Sequence, residues 1–235
     1  MGEWGLVRAT RRQQDIYAGA DPRELPAYSM VEAARYVGAP LNTLRAWLGR
    51  QGGFARVIEL PPDSDQLSFF NLTEAFVING LRRKHGIPLQ KLRLTIDWLQ
   101  SQVPGSRHPL ADLDLSTFAH EVFLERDSHL VNATRHGQLG LREILEHVLL
   151  RVEKDPQGRG AMRLFPFTRP AQQASPRMIV IDPRVAFGRP VIAGTGIPTA
   201  VLHERWKAGE SLSSLAEDYD RAPEEIEEAI RYEAA

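Results

Sequence analysis

The 235-residue chain has no cysteine, so neither a disulfide nor a thiolate metal site can contribute to its fold. No apolar run approaches the roughly 18 residues of a membrane-spanning helix. Met1-Gly2-Glu3-Trp4-Gly5 lacks the basic-then-apolar order of a secretion signal. The expectation is a cytoplasmic protein without a membrane partner. Seven histidines are present, His85, His108, His120, His129, His136, His147 and His203, and none has a metal-type spacing with a second one. His120, His129 and His136 group loosely and read as ordinary hairpin or surface residues. Gly194-Thr195-Gly196 lacks the Lys-Ser/Thr of a phosphate loop, and the following Ile197-Pro198 withdraws an amide that a phosphate could use. Asp112 and Asp114, like Glu224 and Glu225, read as turn and helix-start charges. With no nucleophile–base constellation, the sequence predicts no enzyme, no cofactor and no metal.

What is present is an ordinary globular composition, 43% hydrophobic and 25% charged, long enough for two or three modules with cores of their own. The net charge of −1 hides a gradient. Residues 31–103 hold nine Lys/Arg against six Asp/Glu, whereas residues 179–235 hold six against eleven. One end suits phosphates and the other repels them, as in an adaptor between nucleic acid and a protein partner.

Local signals divide the chain into a leader (1–27), an N-terminal module (28–103), a middle connector (104–177) and a C-terminal module (178–235). Ser29-Met30-Val31-Glu32 fits a capping box, opening a helix with Val31, Ala34 and Val37 on one face and Gly38 as its stop. A second helix runs from Leu41 to about Arg50, with Leu44, Trp47 and Leu48 inward and Gly52-Gly53 as its end; the pair forms a helix-turn-helix pattern. Residues 54–60 and 67–70 read as the strands of a wing. Asn71 then caps a helix to about His85, and Pro88 opens another to about Val103. In the connector, residues 122–124 and 130–133 read as a hairpin. Leu141, Ile144, Leu145, Val148, Leu149 and Val152 form an amphipathic helical stripe, wide enough to propose self-association. Residues 162–165 read as a strand and 168–176 as a linker. The final helices, Leu212–Tyr219 and Pro223–Tyr232, make a second helix-turn-helix shape. The last carries Glu224, Glu225, Glu227, Glu228 and Glu233 against the single Arg231, a surface suited to protein contact and unsuited to DNA.

Two stretches carry family resemblances. Gly38-Ala39-Pro40-Leu41-Asn42-Thr43-Leu44-Arg45-Ala46-Trp47 resembles the recognition region of MerR-type winged helix-turn-helix proteins, with Pro40 where a capping Ser or Thr is usual and Ala46 in place of an aromatic. The helix presents Asn42, Thr43, Arg45 and Arg50 away from its apolar stripe, and Arg82, Arg83 and Lys84 form a basic run, all suited to base edges or phosphates. Farther on, Asp182-Pro183, Phe187-Gly188-Arg189-Pro190 and Gly194-Thr195-Gly196-Ile197-Pro198, with Gly209 and Ser211-Leu212, resemble the antitoxin domain known as domain of unknown function 433. Ala193 and Gly196 stand where relatives carry basic residues. The resemblance implies a VapB-type antitoxin whose partner is a PIN-fold ribonuclease toxin, with Phe187, Arg189, Pro190, Thr195 and Ile197 as contact residues. It further implies a basic side chain, here Arg189, set among the toxin's acidic metal-binding residues. Phe187, Val191 and Ile192 are expected in the core.

The fold class expected is therefore α+β and mostly helical: a winged helix-turn-helix, a middle α/β connector, and a short hairpin with a three-helix antitoxin domain. The function implied is an antitoxin that neutralises its ribonuclease, binds operator double-stranded DNA to repress its own operon, and acts as a homodimer. A MerR-like regulator sensing a small ligand in its middle segment, or an assembly scaffold that binds no DNA, remains open.

Overall fold

The structure is a computed structural model that describes residues 17–50, 56–85, 107–112, 147–158, 160–169 and 175–234. Helix α1 (Met30–Val37) begins as its sequence dictates. The Ser29 hydroxyl accepts from the Glu32 amide, the Glu32 carboxylate accepts from the Ser29 amide at 2.9 Å, and Gly38 closes the helix at φ +65°. Its packing differs in one respect from the sequence pattern. Ala33, Ala34, Tyr36 and Val37 are buried, whereas Val31 is 64% exposed. Helix α2 (Leu41–Trp47) starts after Pro40 without a side-chain cap and ends three residues early, the chain turning at Gly49 in the left-handed region. Leu44 and Trp47 bury its inner face.

The expected wing is replaced. Residues 56–66 carry no strand, and residues 51–55 lie outside the described residues. Leu67 instead pairs antiparallel with Tyr28, exchanging amide bonds of 2.8 and 3.0 Å. Helix α3 (Phe69–His85) then starts two residues before Asn71. Ser68 is the cap: its hydroxyl accepts from the Asn71 amide, and the Asn71 side-chain oxygen accepts from the Ser68 amide at 3.1 Å. A polar pair three residues apart at a helix start can close this reciprocal box, and that local bond outweighs the β propensity of Phe69 and Phe70. The helix from Pro88 and the hairpin over 122–133 fall outside the described residues, as do His120, His129 and His136.

After a short helix α4 (Pro109–Asp112), residues 147–149 are helical, and the chain turns at Leu150–Arg151. Val152, expected on the helical stripe, belongs to strand β1 (Val152–Lys154), which pairs antiparallel with β2 (Ala161–Leu164). Strand β3 (Ile179–Val180) pairs antiparallel with β4 (Val191–Ile192). Leu164 and Ile181 exchange backbone hydrogen bonds of 3.0 and 2.8 Å, joining the two ribbons edge to edge. Three helices close the chain: α5 (Thr199–Lys207), α6 (Leu212–Tyr219) and α7 (Pro223–Ala234).

One core runs from the first helices to the last, including Leu44, Trp47, Phe76, Ile179, Ile181, Leu202, Ile226 and Tyr232. Tyr36 of α1 meets Tyr28 edge-on at 6.1 Å and stacks near Tyr232 of α7 at 6.5 Å. The expected linker is anchored at both described ends: Thr168 and Ser175 are buried, and Thr168 donates to Glu228 of α7. Even the leader takes part, because the Tyr17 hydroxyl donates to the Pro183 carbonyl at 2.7 Å and Arg23 is buried against Asp21 and Asp155. No helix among the described residues is long and apolar enough to cross a membrane.

Candidate functional site

Asp182 organises the segment between β3 and β4. Its buried carboxylate accepts from the Arg163 Nε and from the Arg184 amide, both at 2.9 Å, while its carbonyl accepts from the Val185 amide. The chain then makes a tight turn over Ala186–Gly188, closed by Gly188 N–H to the Val185 carbonyl and Arg189 N–H to the Ala186 carbonyl. Three consecutive residues are left-handed: Ala186 at φ +48°, Phe187 at +55° and Gly188 at +75°. An L-residue in that region costs about 1–2 kcal/mol, and strain of this kind persists only where surrounding structure fixes it. Here the fixing is visible. Gly188 is buried, and a Cβ added to it would overlap the Tyr28 hydroxyl; only glycine lets the turn seat against Tyr28, the residue before α1's cap.

The outcome for Phe187 reverses the expectation of a core residue. It is 69% exposed, whereas Val191 and Ile192 are buried as anticipated. The strained turn therefore holds an aromatic ring out in solvent. Arg189, next but one, is also exposed and makes no ion pair among the described residues. Of the other contact residues expected, Pro190 is buried and Ile197 is half-buried against the core. Thr195 is spent inside its own turn, donating to the Ile192 carbonyl at 2.8 Å and accepting from the Ile197 amide at 3.1 Å. Phe187 and Arg189 are the pair left free to meet something else.

The acidic helix is also reordered. Glu228 is fully buried and receives Arg169, Arg231 and Thr168. Burial opposes its ionisation, but the hydrogen bonds from Arg169 and Thr168 outweigh it and hold the carboxyl below the usual glutamate range. The Glu233 carboxylate joins Arg35 of α1 to Thr199, the first residue of α5. Glu225 caps its own helix through Arg221 and the Ala222 amide, and Glu227 pairs with Arg231. The face read as a free acidic surface is in part internal glue: Glu228 and Glu233 meet cations far along the chain, Arg169 and Arg35, that sequence spacing does not reveal, while Glu224 stays exposed. Arg205 of α5 is held over the Tyr219 ring by Glu210 and Asp218.

At the other end, Asn42 and Arg45 are exposed and Thr43 is half-buried. Arg50 pairs with Asp65, and Arg82 lies 5.9 Å from the centre of the Trp47 ring. The side chains of Arg83 and Lys84 lie outside the described residues. Arg56, not singled out by sequence, is exposed and joins Arg50 along one open groove with Asp63 and Asp65. The close approach of Gly49 to the Arg56 backbone brings it there, a contact with no signature in spacing.

Residues 179–232, which contain the strained turn and the three closing helices, match the family described as protein of unknown function DUF433. The chain thus carries a DUF433 domain at this position. The putative antitoxin VapB45 of Mycobacterium tuberculosis is 30% identical over 232 residues, spanning 88% of this chain and 93% of that protein. The uncharacterized protein Rv2308 of the same organism is 24% identical over 224 residues, 89% of this chain and 90% of its own. The X-ray crystal structure of Rv2018 from M. tuberculosis superposes with a TM-score of 0.68 at 28% identity, covering 88% of this chain and 98% of that one. The protein belongs to the family of the putative antitoxin VapB45, and the likeness extends far beyond the DUF433 segment.

Proposed function

We propose that this chain is the antitoxin of a toxin–antitoxin pair. The observation that carries the reading is the left-handed turn that holds Phe187 and Arg189 in solvent, within the DUF433 segment of a chain related over most of its length to a putative antitoxin. A rigidly presented aromatic beside a guanidinium is the make-up of a protein-binding anchor, since little freedom is lost on docking. The partner proposed is a PIN-type ribonuclease, whose carboxylates suit Arg189 as a bidentate donor. Buried Pro190, half-buried Ile197 and Thr195, which holds its own turn, support the same segment. The protein acts by binding, in the cytoplasm, and carries no chemistry of its own.

The N-terminal helices are proposed to bind operator DNA through Asn42, Thr43, Arg45 and Arg50, with Arg56, Arg82, Arg83 and Lys84 for phosphates. Arg50 enters that role by exchanging Asp65 for a phosphate. A homodimer places two such helices on a palindromic site. Co-expression of the full chain with a PIN-type ribonuclease toxin tests the central claim. Growth rescue and co-purification by wild type, with both lost in Arg189→Ala, are expected. Rescue that survives Arg189→Ala and Phe187→Ala alike would overturn the assignment of the turn.

A further inference from the structure

Val31 is a residue that the fold leaves without a purpose. It sits in the first turn of α1, in a pattern that spacing alone assigns to the core, yet it is 64% exposed. The neighbouring carboxylate of Glu32 lies close enough to Arg189 to be lowered further by it, after the larger effect of the Ser29 hydroxyl. The turn at 183–189 is also built against this end of the N-terminal unit. Tyr28 fills the space that a side chain on Gly188 would need, and Tyr17 holds the Pro183 carbonyl. Tyr28 and Glu32 thus adjoin Gly188 and Arg189, and the exposed Val31 and Phe187 are their immediate chain neighbours, in two segments about 150 residues apart in sequence. Glu32 is occupied by Ser29 in the capping box, so Arg189 keeps its charge for an incoming group.

We infer that the antitoxin's docking face is shared between the DUF433 unit and helix α1, with Val31 as its second apolar contact. This inference rests on the antitoxin reading and deepens it. The occupant is the toxin protein, presenting an apolar depression for Phe187 and Val31 with a carboxylate at its rim for Arg189. The chemistry follows from what is left unpaired: two exposed apolar side chains and one cation, with the nearby anion already engaged. A nucleic acid would find phosphate contact at Arg189 but an acidic neighbour in Glu32. It would also find no basic partner within the DUF433 turn itself apart from Arg184.

The test uses the full chain with the co-expressed ribonuclease, and affinity is read by calorimetry on the purified partners. Val31→Asp and Val31→Lys are compared with Arg189→Ala. Aspartate at the second position of a helix suits the helix dipole, so Val31→Asp should keep its melting temperature, which a thermal scan verifies. Expected are a loss of about tenfold or more in Val31→Asp and a smaller loss in Val31→Lys, because a carboxylate there both draws on Arg189 and repels the partner's rim. Two unchanged Val31 variants alongside an impaired Arg189→Ala would overturn the shared face while leaving the antitoxin reading intact. Val31→Lys weaker than Val31→Asp would overturn the acidic rim. Wild type that fails to bind the ribonuclease, under conditions where both are folded, would overturn the antitoxin reading itself.

Discussion

Replacing Phe187 by glycine separates what the ring does for the partner from what it costs the fold. At φ +55° a side chain carries about 1–2 kcal/mol of backbone strain. Glycine removes it but restores freedom to the unfolded chain worth about 0.5–1 kcal/mol. Alanine keeps the strain and loses the same ring. With the ring 69% exposed, only about a third of a phenylalanine's burial energy is at stake, on the order of 0.5–1 kcal/mol in either variant. Phe187→Gly should therefore be more stable than Phe187→Ala by about 0.5–1 kcal/mol, and close to wild type. For a chain of this size that is a melting difference of about 1–4 °C. Both variants should lose about 2 kcal/mol or more of toxin affinity, some thirtyfold, as truncation of an aromatic anchor does. Differential scanning calorimetry with a binding titration measures both quantities. Alanine as stable as glycine, or unaltered affinity in both, would refute the account of a strained turn held for a partner.

Gly188→Ala should destabilise by more than about 1 kcal/mol, because its Cβ meets the Tyr28 hydroxyl on a left-handed backbone. Tyr28→Phe, which removes a buried hydroxyl with no hydrogen-bond partner, should be near neutral alone and recover part of the Gly188→Ala loss in a denaturant double-mutant cycle. Glu228→Gln should cost about 1.5–3 kcal/mol in urea unfolding, since charge-assisted bonds from Arg169 and Arg231 are lost. Because the Glu228 carboxyl is held below its unfolded value, its contribution is full above the unfolded glutamate range. It is lost as pH falls through the folded value, so the gap between Glu228→Gln and wild type in a stability–pH profile should narrow once pH drops below the unfolded glutamate range. Arg45→Ala should weaken operator binding broadly and lower the salt slope by about 1 in fluorescence anisotropy.

The elements written in local code were legible in the sequence. The Ser29–Glu32 box, the Gly38 stop, a strand expected at 162–165 and found at Ala161–Leu164, and the helices expected at Leu212–Tyr219 and Pro223–Tyr232, the latter reaching Ala234, follow from capping residues and short-range pattern. What failed depends on partners far along the chain. Leu67 pairs with Tyr28 rather than with a neighbouring strand. Glu228 meets Arg169, and Glu233 meets Arg35 almost 200 residues away. Phe187 looked like core because apolarity normally means burial; its outward position needs three left-handed residues braced by Asp182 and Tyr28, and periodicity is blind to such tertiary support. The candidate residues Phe187 and Arg189 were nameable from a motif, but Val31 and Arg56 were not: Val31 fits the spacing of a buried face yet stays exposed, and Arg56 reaches its groove through the turn at Gly49.

The meeting of α1 and α7 has a consequence for the order in which the protein is made. A ribosome delivers Tyr36 about 200 residues before Tyr232 and Glu233, so through that interval the first helix shows the bare ring and the Arg35 guanidinium that α7 later covers. Units that emerge first can fold first, yet this one gains its closing wall only once α7 has left the exit tunnel. A chain interrupted before Tyr232 thus exposes a sticky aromatic face to proteases and chaperones and lacks its latch. The emergence of α7 is itself the event that seals the fold.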